Sequence, residues 1–303
     1  MIHKISVVIP LYNHEDFILE AIHSVQNQTT PVFEIIIIDD GSKDNSGKIV
    51  IQEGKNDVRI KYFYQENAGA HNAINRGIKM ATGDYVAILN SDDVYQKERF
   101  EKMLGVIENT NAEAIFSGID FIDAKGKKVQ NKWYHQAKDF YLKNNNLSLA
   151  LMNGNFFMTT SNALIRRDVF DKIGSFNNLR YAHDLDFFLR LFLHNINVQF
   201  IDEPLLFYRS HATNTINEDH MKVKREWAAI IALFIVEHSK KHFSKPHDCF
   251  KDNMALFNII EKHSLTKYVL FFIQNYLCNQ NGQQYYDGLT KPELVNFIKN
   301  TIK

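Results

Sequence analysis

Two adjacent carboxylates, Asp92 and Asp93, follow the apolar run at residues 85–89. Side by side at a strand end they repel each other unless positive charge stands beside them. A hard divalent cation would supply that charge, because Mg2+ or Mn2+ is commonly shared between one or two carboxylates and substrate phosphates. The plainer alternative is a solvated turn capping the helix that begins near Gln96. A second acidic cluster, Asp39-Asp40-Gly41-Ser42, ends the run at 33–38. It reads either as a tight turn with Gly41 at positive φ or as a carboxylate that hydrogen-bonds a base or ribose. Asn67-Ala68-Gly69-Ala70-His71-Asn72 opens a helix, where Gly69 permits close backbone approach and the helix N-terminus favours anions. The patterns G-x-G-x-x-G and G-x-x-x-x-G-K-[ST] are both absent, so dehydrogenase and P-loop chemistry lose their main support.

The elements that must hold these residues alternate. Strands are predicted at 5–9, 33–38, 59–64, 85–89 and 114–121, and helices at 13–28, 46–52, 71–80 and 96–109. Asn13 would cap the first helix, with Asp16 placed for a capping box. This alternation predicts an α/β fold with a mostly parallel central sheet flanked by helices. Ligands of such sheets lie beyond the carboxyl ends of the strands. Tyr12-Asn13, Asp39-Asp40 and Asp92-Asp93 all stand at such ends and should converge on one cleft. Residues 123–155 read as polar and irregular. A strand and short helix follow within 161–176, then a helix at 184–194 and short strands at 198–201 and 205–208. Helices at 221–240, 250–263, 265–278 and 291–302 complete the chain. The predicted organisation is an α/β domain at 1–214 and a helical region at 215–303.

Composition removes several classes. Lys plus Arg number 35 and Asp plus Glu number 35, which argues against a nucleic-acid binder needing a basic face. Cys249 and Cys278 have no metal-ligand spacing and read as free thiols of a reducing compartment. No signal-peptide pattern opens the chain, and no apolar run approaches the ~20 residues that span a bilayer. The expected location is therefore cytoplasmic, peripheral at most to the inner face of a membrane.

Together the motifs resemble the inverting family 2 glycosyltransferases of GT-A fold. The resemblance runs through Val7-Val8-Ile9-Pro10-Leu11-Tyr12-Asn13, Ile38-Asp39-Asp40-Gly41-Ser42, Asn67-Ala68-Gly69, Ala81-Thr82-Gly83-Asp84-Tyr85 and Leu89-Asn90-Ser91-Asp92-Asp93. It resumes at Ala163-Leu164-Ile165-Arg166-Arg167, His183-Asp184-Leu185-Asp186 and Tyr208-Arg209-Ser210-His211, covering roughly residues 4–215. It implies transfer of a sugar from a nucleotide-sugar donor, a UDP-sugar, to an acceptor hydroxyl in cell-surface polysaccharide or glycan synthesis. Pro10, Tyr12, Asp39 and Asp40 would border the base. Asn13, Asn67, Gly69, Arg76, Ser91 and Asp92 would join the nucleotide-facing set. Asp93, Asp92 and His211 would hold Mn2+ or Mg2+ against the diphosphate, and Asp184 would be the general base. The acceptor would be a glycan or a lipid-linked sugar.

Two residues depart from the family pattern. His183 stands where Glu is usual, on the acceptor side, and either alters acceptor preference, adds a proton-linked step near neutral pH, or simply packs. Asn90 replaces a common acidic residue, with Asp92 and Asp93 retained. A non-catalytic nucleotide-sugar binding module is the rival reading. A sugar nucleotidyltransferase is disfavoured, because Pro10-Leu11-Tyr12-Asn13 replaces the glycine-rich basic loop it would need. The tail's apolar stripes, Trp227, Ile230, Ile231, Phe234 and Ile235, then Tyr268, Phe271, Phe272 and Tyr276, are assigned first to packing. Contact with a membrane surface or a homodimer are the alternatives.

Overall fold

The computed structural model describes residues 3–212, 214, 215, 218–242, 249–279, 285 and 289. Two compact units emerge: one from residues 1–131, 157–176 and 194–212, the other from 132–156, 177–193 and 213–303.

The first unit is built on a sheet of nine strands among the described residues, ordered β3-β2-β1-β4-β8-β6-β9-β5, with β7 paired to β6. Strands β1 (Ile5–Leu11), β2 (Glu34–Asp39), β3 (Ile60–Tyr64) and β4 (Tyr85–Ile88) pair in parallel. Every residue of β1, β2 and β4 is buried, as expected of central strands covered on both faces. Beyond β4 the sheet becomes mixed. β5 (Val94–Tyr95), β6 (Ala114–Asp123), β7 (Lys128–Val129), β8 (Leu164–Arg166) and β9 (Val198–Ser210) pair antiparallel at β4–β8, β6–β8, β5–β9 and β6–β7, and parallel at β6–β9.

Helices α1 (Ile18–Gln26), α2 (Ser46–Glu53), α3 (Ala70–Met80) and α4 (Arg99–Thr110) lie between these strands in sequence. α3 buries Ala73, Ile74, Gly77 and Ile78, a one-face helical spacing. A Cβ at Gly77 would stand 2.3 Å from Val8 Cγ1, so this helix lies hard against β1. α1 starts later than the sequence predicted. Asn13 has φ 51° and its side chain accepts from the Lys43 N–H, so it caps nothing. Phe17 stands at the N-cap with no side-chain hydrogen bond.

Residues 198–210 form one strand where two were predicted. β9 stays paired to β6 by bulging at Asp202-Glu203 and again at Leu205, with Pro204 between them opposite Gly118. A Cβ at Gly118 would come within 2.9 Å of Glu203, so the glycine admits that close approach. A 3-10 turn at Thr160–Asn162 and helix α7 (Arg167–Ile173) flank β8.

The second unit is helical. α5 (Lys132–Asn144) and α6 (Leu147–Met152) occupy the stretch expected to be irregular. Only Tyr134 and Ala137 of α5 are buried, so the amphipathic signal was faint. Asn146 caps α6 by accepting from the Leu149 N–H. α8 (His183–Leu193), α9 (His220–His242), α10 (Cys249–Lys262) and α11 (Thr266–Asn279) complete the unit. Ile230, Ile231 and Phe234 of α9 and Tyr268, Phe272 and Tyr276 of α11 are buried. Those parts of the tail's stripes are therefore buried, with α9 lying against α11 and α8. The predicted helix at 291–302 and the side chains of Cys249 and Cys278 lie outside the described residues. Among the described residues no helix is long and apolar enough to cross a membrane.

Candidate active site

The register aligns the carboxyl ends of β1, β2 and β4: Leu11 pairs with Asp39, and Val8 with Ile88. Tyr12, Asp40 and the segment 90–93 therefore follow on at one edge of the sheet. Asp39 accepts from the Ser42 N–H (2.8 Å) and from the Tyr62 hydroxyl (2.7 Å). Burial and this acceptor push the Tyr62 phenol upward. Asp40 accepts from Gln65 Nε2 (2.7 Å) and from the N–H groups of Ala68 and Gly69 (both 2.9 Å). Both carboxylates thus brace the loops of this edge. Gly69, with φ +91°, takes a conformation that a side chain would strain. Arg76 donates to Tyr64 O and Gln65 Oε1, which ties α3 to the end of β3. Pro10 is buried in β1, whereas Tyr12 and Asn67 are exposed.

The ion-capable group on this edge is His14, Asp92 and His211. One ligand atom from each lies within 4.8 Å of the others. His211 Nε2 lies 2.9 Å from Asp92 Oδ2. Two adjacent ligands on an ion with bonds of about 2.1 Å lie roughly 3.0 Å apart, so this spacing suits a shared cation. The His14 ring meets Ser91 Oγ through Nδ1 at 2.7 Å. Burial lowers the His14 pKa, which favours the neutral imidazole that a metal requires.

Asp93, expected beside Asp92 at the ion, has both oxygens engaged. Ser161 Oγ donates to one at 2.6 Å and the Arg209 N–H to the other at 2.9 Å. Burial first, then the neighbouring Asp92 charge, hold its carboxyl well above the usual range. Arg209 is 1% exposed; its guanidinium donates to the carbonyls of Asp92 (2.7 Å) and Asp123 (3.1 Å) and to Glu20. Asn90 donates its side-chain N–H to Thr159 Oγ1 and accepts from Thr160 Oγ1, so it clasps the turn that presents Ser161. Arg99 braces that turn from within, donating to the carbonyls of Ser161 and Asn162. Burial lowers Arg99 to about 10, still charged at neutral pH.

In the second unit, Asp184 is buried in the first turn of α8. Desolvation raises it to about 7, against hydrogen bonds from the Leu185 N–H (2.7 Å) and Asn155 Nδ2 (2.7 Å). Such a carboxyl is poised to take a proton near neutral pH. Glu226 of α9 accepts from the N–H groups of Arg180, Tyr181 and Ala182, the loop immediately ahead of α8. His183 is the half-buried first residue of α8.

A family model described as Glycosyl transferase family 2 matches residues 6–174, more than half of the chain. The chain belongs to glycosyl transferase family 2. An uncharacterized glycosyltransferase of Rickettsia typhi is 32% identical over 217 residues, 70% of this chain and 66% of the relative. One from Nostoc is 33% identical over 218 residues, with the same shares. The matched part thus spans just under two thirds of these relatives. Glycosyltransferase GlyG of Streptococcus pneumoniae is 29% identical, covering 69% of this chain and 71% of GlyG. Among solved structures, S. aureus TarS 1-349 with UDP-GlcNAc aligns at TM-score 0.61 and 18% identity, over 90% of this chain and 89% of that TarS chain. TarS with UDP aligns at 0.57 and 21%, over 81% and 73%. The likeness shows the fold of this family 2 chain, the GT-A α/β arrangement with C-terminal helices.

Sequence reasoning gave no role to His14, Asn155, Ser161, Arg209, Glu226 or Arg99. Arg209 had a visible signal, its place in Tyr-Arg-Ser-His. The others are single polar residues whose partners lie far along the chain.

Proposed function

We propose that this family 2 chain transfers a sugar from a nucleotide-sugar donor, a UDP-sugar, to a hydroxyl of a glycan or lipid-linked acceptor, with inversion at the anomeric carbon. The observation that carries the proposal is the pairing of His211 with Asp92 at the carboxyl ends of the parallel strands. That edge is where open α/β sheets bind ligands. The TarS complexes with UDP and UDP-GlcNAc support a UDP-sugar donor.

Asp92 and His211 would hold the ion, with His14 within reach and Asp93 fixing the segment from behind. A bound divalent ion would offset the charge that builds on the departing diphosphate. Tyr12 and Asn67 offer exposed groups to the nucleotide, while Asp39 and Asp40 keep the flanking loops in shape. Asp184 takes the acceptor proton as the hydroxyl attacks, and the Leu185 and Asn155 donors fix the direction of its carboxylate. Attack from the face opposite the leaving group needs one base only and inverts the centre.

The test is nucleotide release from a panel of UDP-, GDP-, dTDP- and CMP-sugars with acceptor extracts, in Mn2+ or EDTA. Release from a UDP-sugar that EDTA and Asp184→Asn both abolish is the expected result. Metal-dependent nucleotide binding with no release from any donor would replace the proposal by a binding module.

A further inference from the structure

We infer that His14 is a third protein ligand of the ion, and that two imidazoles with one carboxylate select a first-row transition ion over Mg2+. The inference rests on the ion-dependent reading proposed above and deepens it by naming the class of ion.

Its first support is rigidity. The loop that carries His14 is cross-linked to the loop after β2. Asn13 N–H donates to Ser42 Oγ, His14 N–H to Ser46 Oγ and Glu15 N–H to Asp44 Oδ2, each at 3.0 Å. In return, Lys43 N–H donates to Asn13 Oδ1 (2.7 Å) and Asn45 N–H to Glu15 Oε2 (2.9 Å). A backbone held this way delivers its imidazole to one place.

The second support is ring orientation. With Nδ1 engaged by Ser91 Oγ, Nε2 is the nitrogen left for an ion. A hydrogen bond at one imidazole nitrogen fixes the tautomer and ring plane of a metal-ligating histidine. Phe17 steadies both rings: it stacks on His211 at 5.3 Å and meets His14 edge-on at 5.7 Å. The two imidazoles lie 5.9 Å apart and perpendicular.

The third support is donor chemistry. Mg2+ prefers oxygen ligands and keeps much of its water. Imidazole nitrogen favours later first-row ions, and affinity at a mixed nitrogen and oxygen site rises from Mn2+ through Co2+. Ser91 stands beside His14 without adding a charge, so Asp92 is the sole carboxylate of the trio. Three protein ligands leave positions for diphosphate oxygens and water.

The test uses the full chain and Mn2+ followed by electron paramagnetic resonance, with folding checked by circular dichroism. Wild type should bind Mn2+ with spin-echo modulation from two imidazole nitrogens, and Co2+ should compete better than Mg2+. His14→Gln should weaken Mn2+ by at least about tenfold and leave one coupled nitrogen. His14→Asp, which substitutes oxygen for nitrogen, should also show one nitrogen and should narrow the preference over Mg2+. Unchanged affinity and two nitrogens in His14→Gln would overturn the role of His14, while loss in Asp92→Asn would leave the ion-dependent reading standing. Wild-type Mn2+ binding in Asp92→Asn and His211→Gln together would overturn both. Equal competition by Mg2+ and Co2+ in wild type would overturn the selectivity.

Discussion

Asn155 donates a 2.7 Å hydrogen bond to Asp184, and with the Leu185 N–H it holds the carboxylate against its own desolvation. A donor to the ionised form lowers a pKa, and burial raises it. At about 7 the balance favours burial. The proposed base works in its ionised form, so kcat/KM should climb with pH through about 7 and level above it. Asn155→Leu removes the donor and keeps the volume similar. Its rising limb should move to higher pH, with the rate at pH 7 reduced several-fold and the high-pH plateau less affected. A pH–rate profile of wild type and variant checks this. An unmoved limb with a uniformly lower plateau would mean that Asn155 only packs.

Asp184→Asn separates catalysis from stability. Loss of a general base costs on the order of 10²–10⁴ in rate. The stability effect has the opposite sign. The folded pKa lies above the ordinary carboxylate value, so between about 4 and 7 the folded chain holds a proton that the unfolded chain has released. This contribution is fully present at low pH and is lost as pH rises through about 7. The variant carries no such loss. Its Tm relative to wild type should therefore increase from pH 5 to pH 8, as thermal melts at matched ionic strength would show.

Asp92 and Asp93 are neighbours with different work. Asp93 binds Ser161 and the Arg209 backbone, whereas Asp92 meets His211. Asp93→Asn keeps an acceptor for the Arg209 N–H and can donate to Ser161 Oγ. Asp92→Asn removes the only charge of the ion-capable trio. Titrations of Mn2+ should therefore show a larger loss for Asp92→Asn, by about tenfold or more, than for Asp93→Asn. The reverse order would return the ion to Asp93.

The positions of the strand-end motifs were legible because their signals are local. The run Ile35–Ile38 is buried throughout, and roughly 1.5–3 kcal/mol for burying each such side chain favours a central strand. The turn residues that follow can only end it. Side-chain direction was less legible. By resemblance Asp40 would border a base; that its oxygens also hold the 65–69 loop depends on backbone N–H groups that no sequence window places nearby. His14 is a lone histidine in a polar loop until β9 brings His211 alongside. Asp202-Glu203-Pro204 resembled a break between strands because a bulge and a turn use the same residues. The strands' boundaries therefore followed from pattern, whereas the site's inner hydrogen bonds followed from tertiary pairing.

Glu226 ties α9 to the loop ahead of the proposed base, a part the sequence did not suggest for a helix assigned first to packing, with membrane or dimer contact as alternatives. Its carboxyl collects the N–H groups of Arg180, Tyr181 and Ala182 at 2.8–3.1 Å, just before α8 begins. These backbone donors are stranded if the acceptor is removed, at about 1–3 kcal/mol for each one left buried and unpaired. The Glu226 charge also raises Asp184, the least of the causes acting there. Glu226→Gln keeps an acceptor and removes the charge, so its Tm should fall little and the acid limb of kcat/KM should shift slightly to lower pH. Glu226→Ala strands the donors. It should lower Tm by several degrees and reduce kcat more than it changes nucleotide affinity, because the residues proposed to face the nucleotide belong to the other unit. Thermal melts, pH–rate profiles and UDP titrations of the two variants distinguish these effects. Equal loss of UDP affinity and kcat in Glu226→Ala would show that the loop serves general folding and has no particular link to the base.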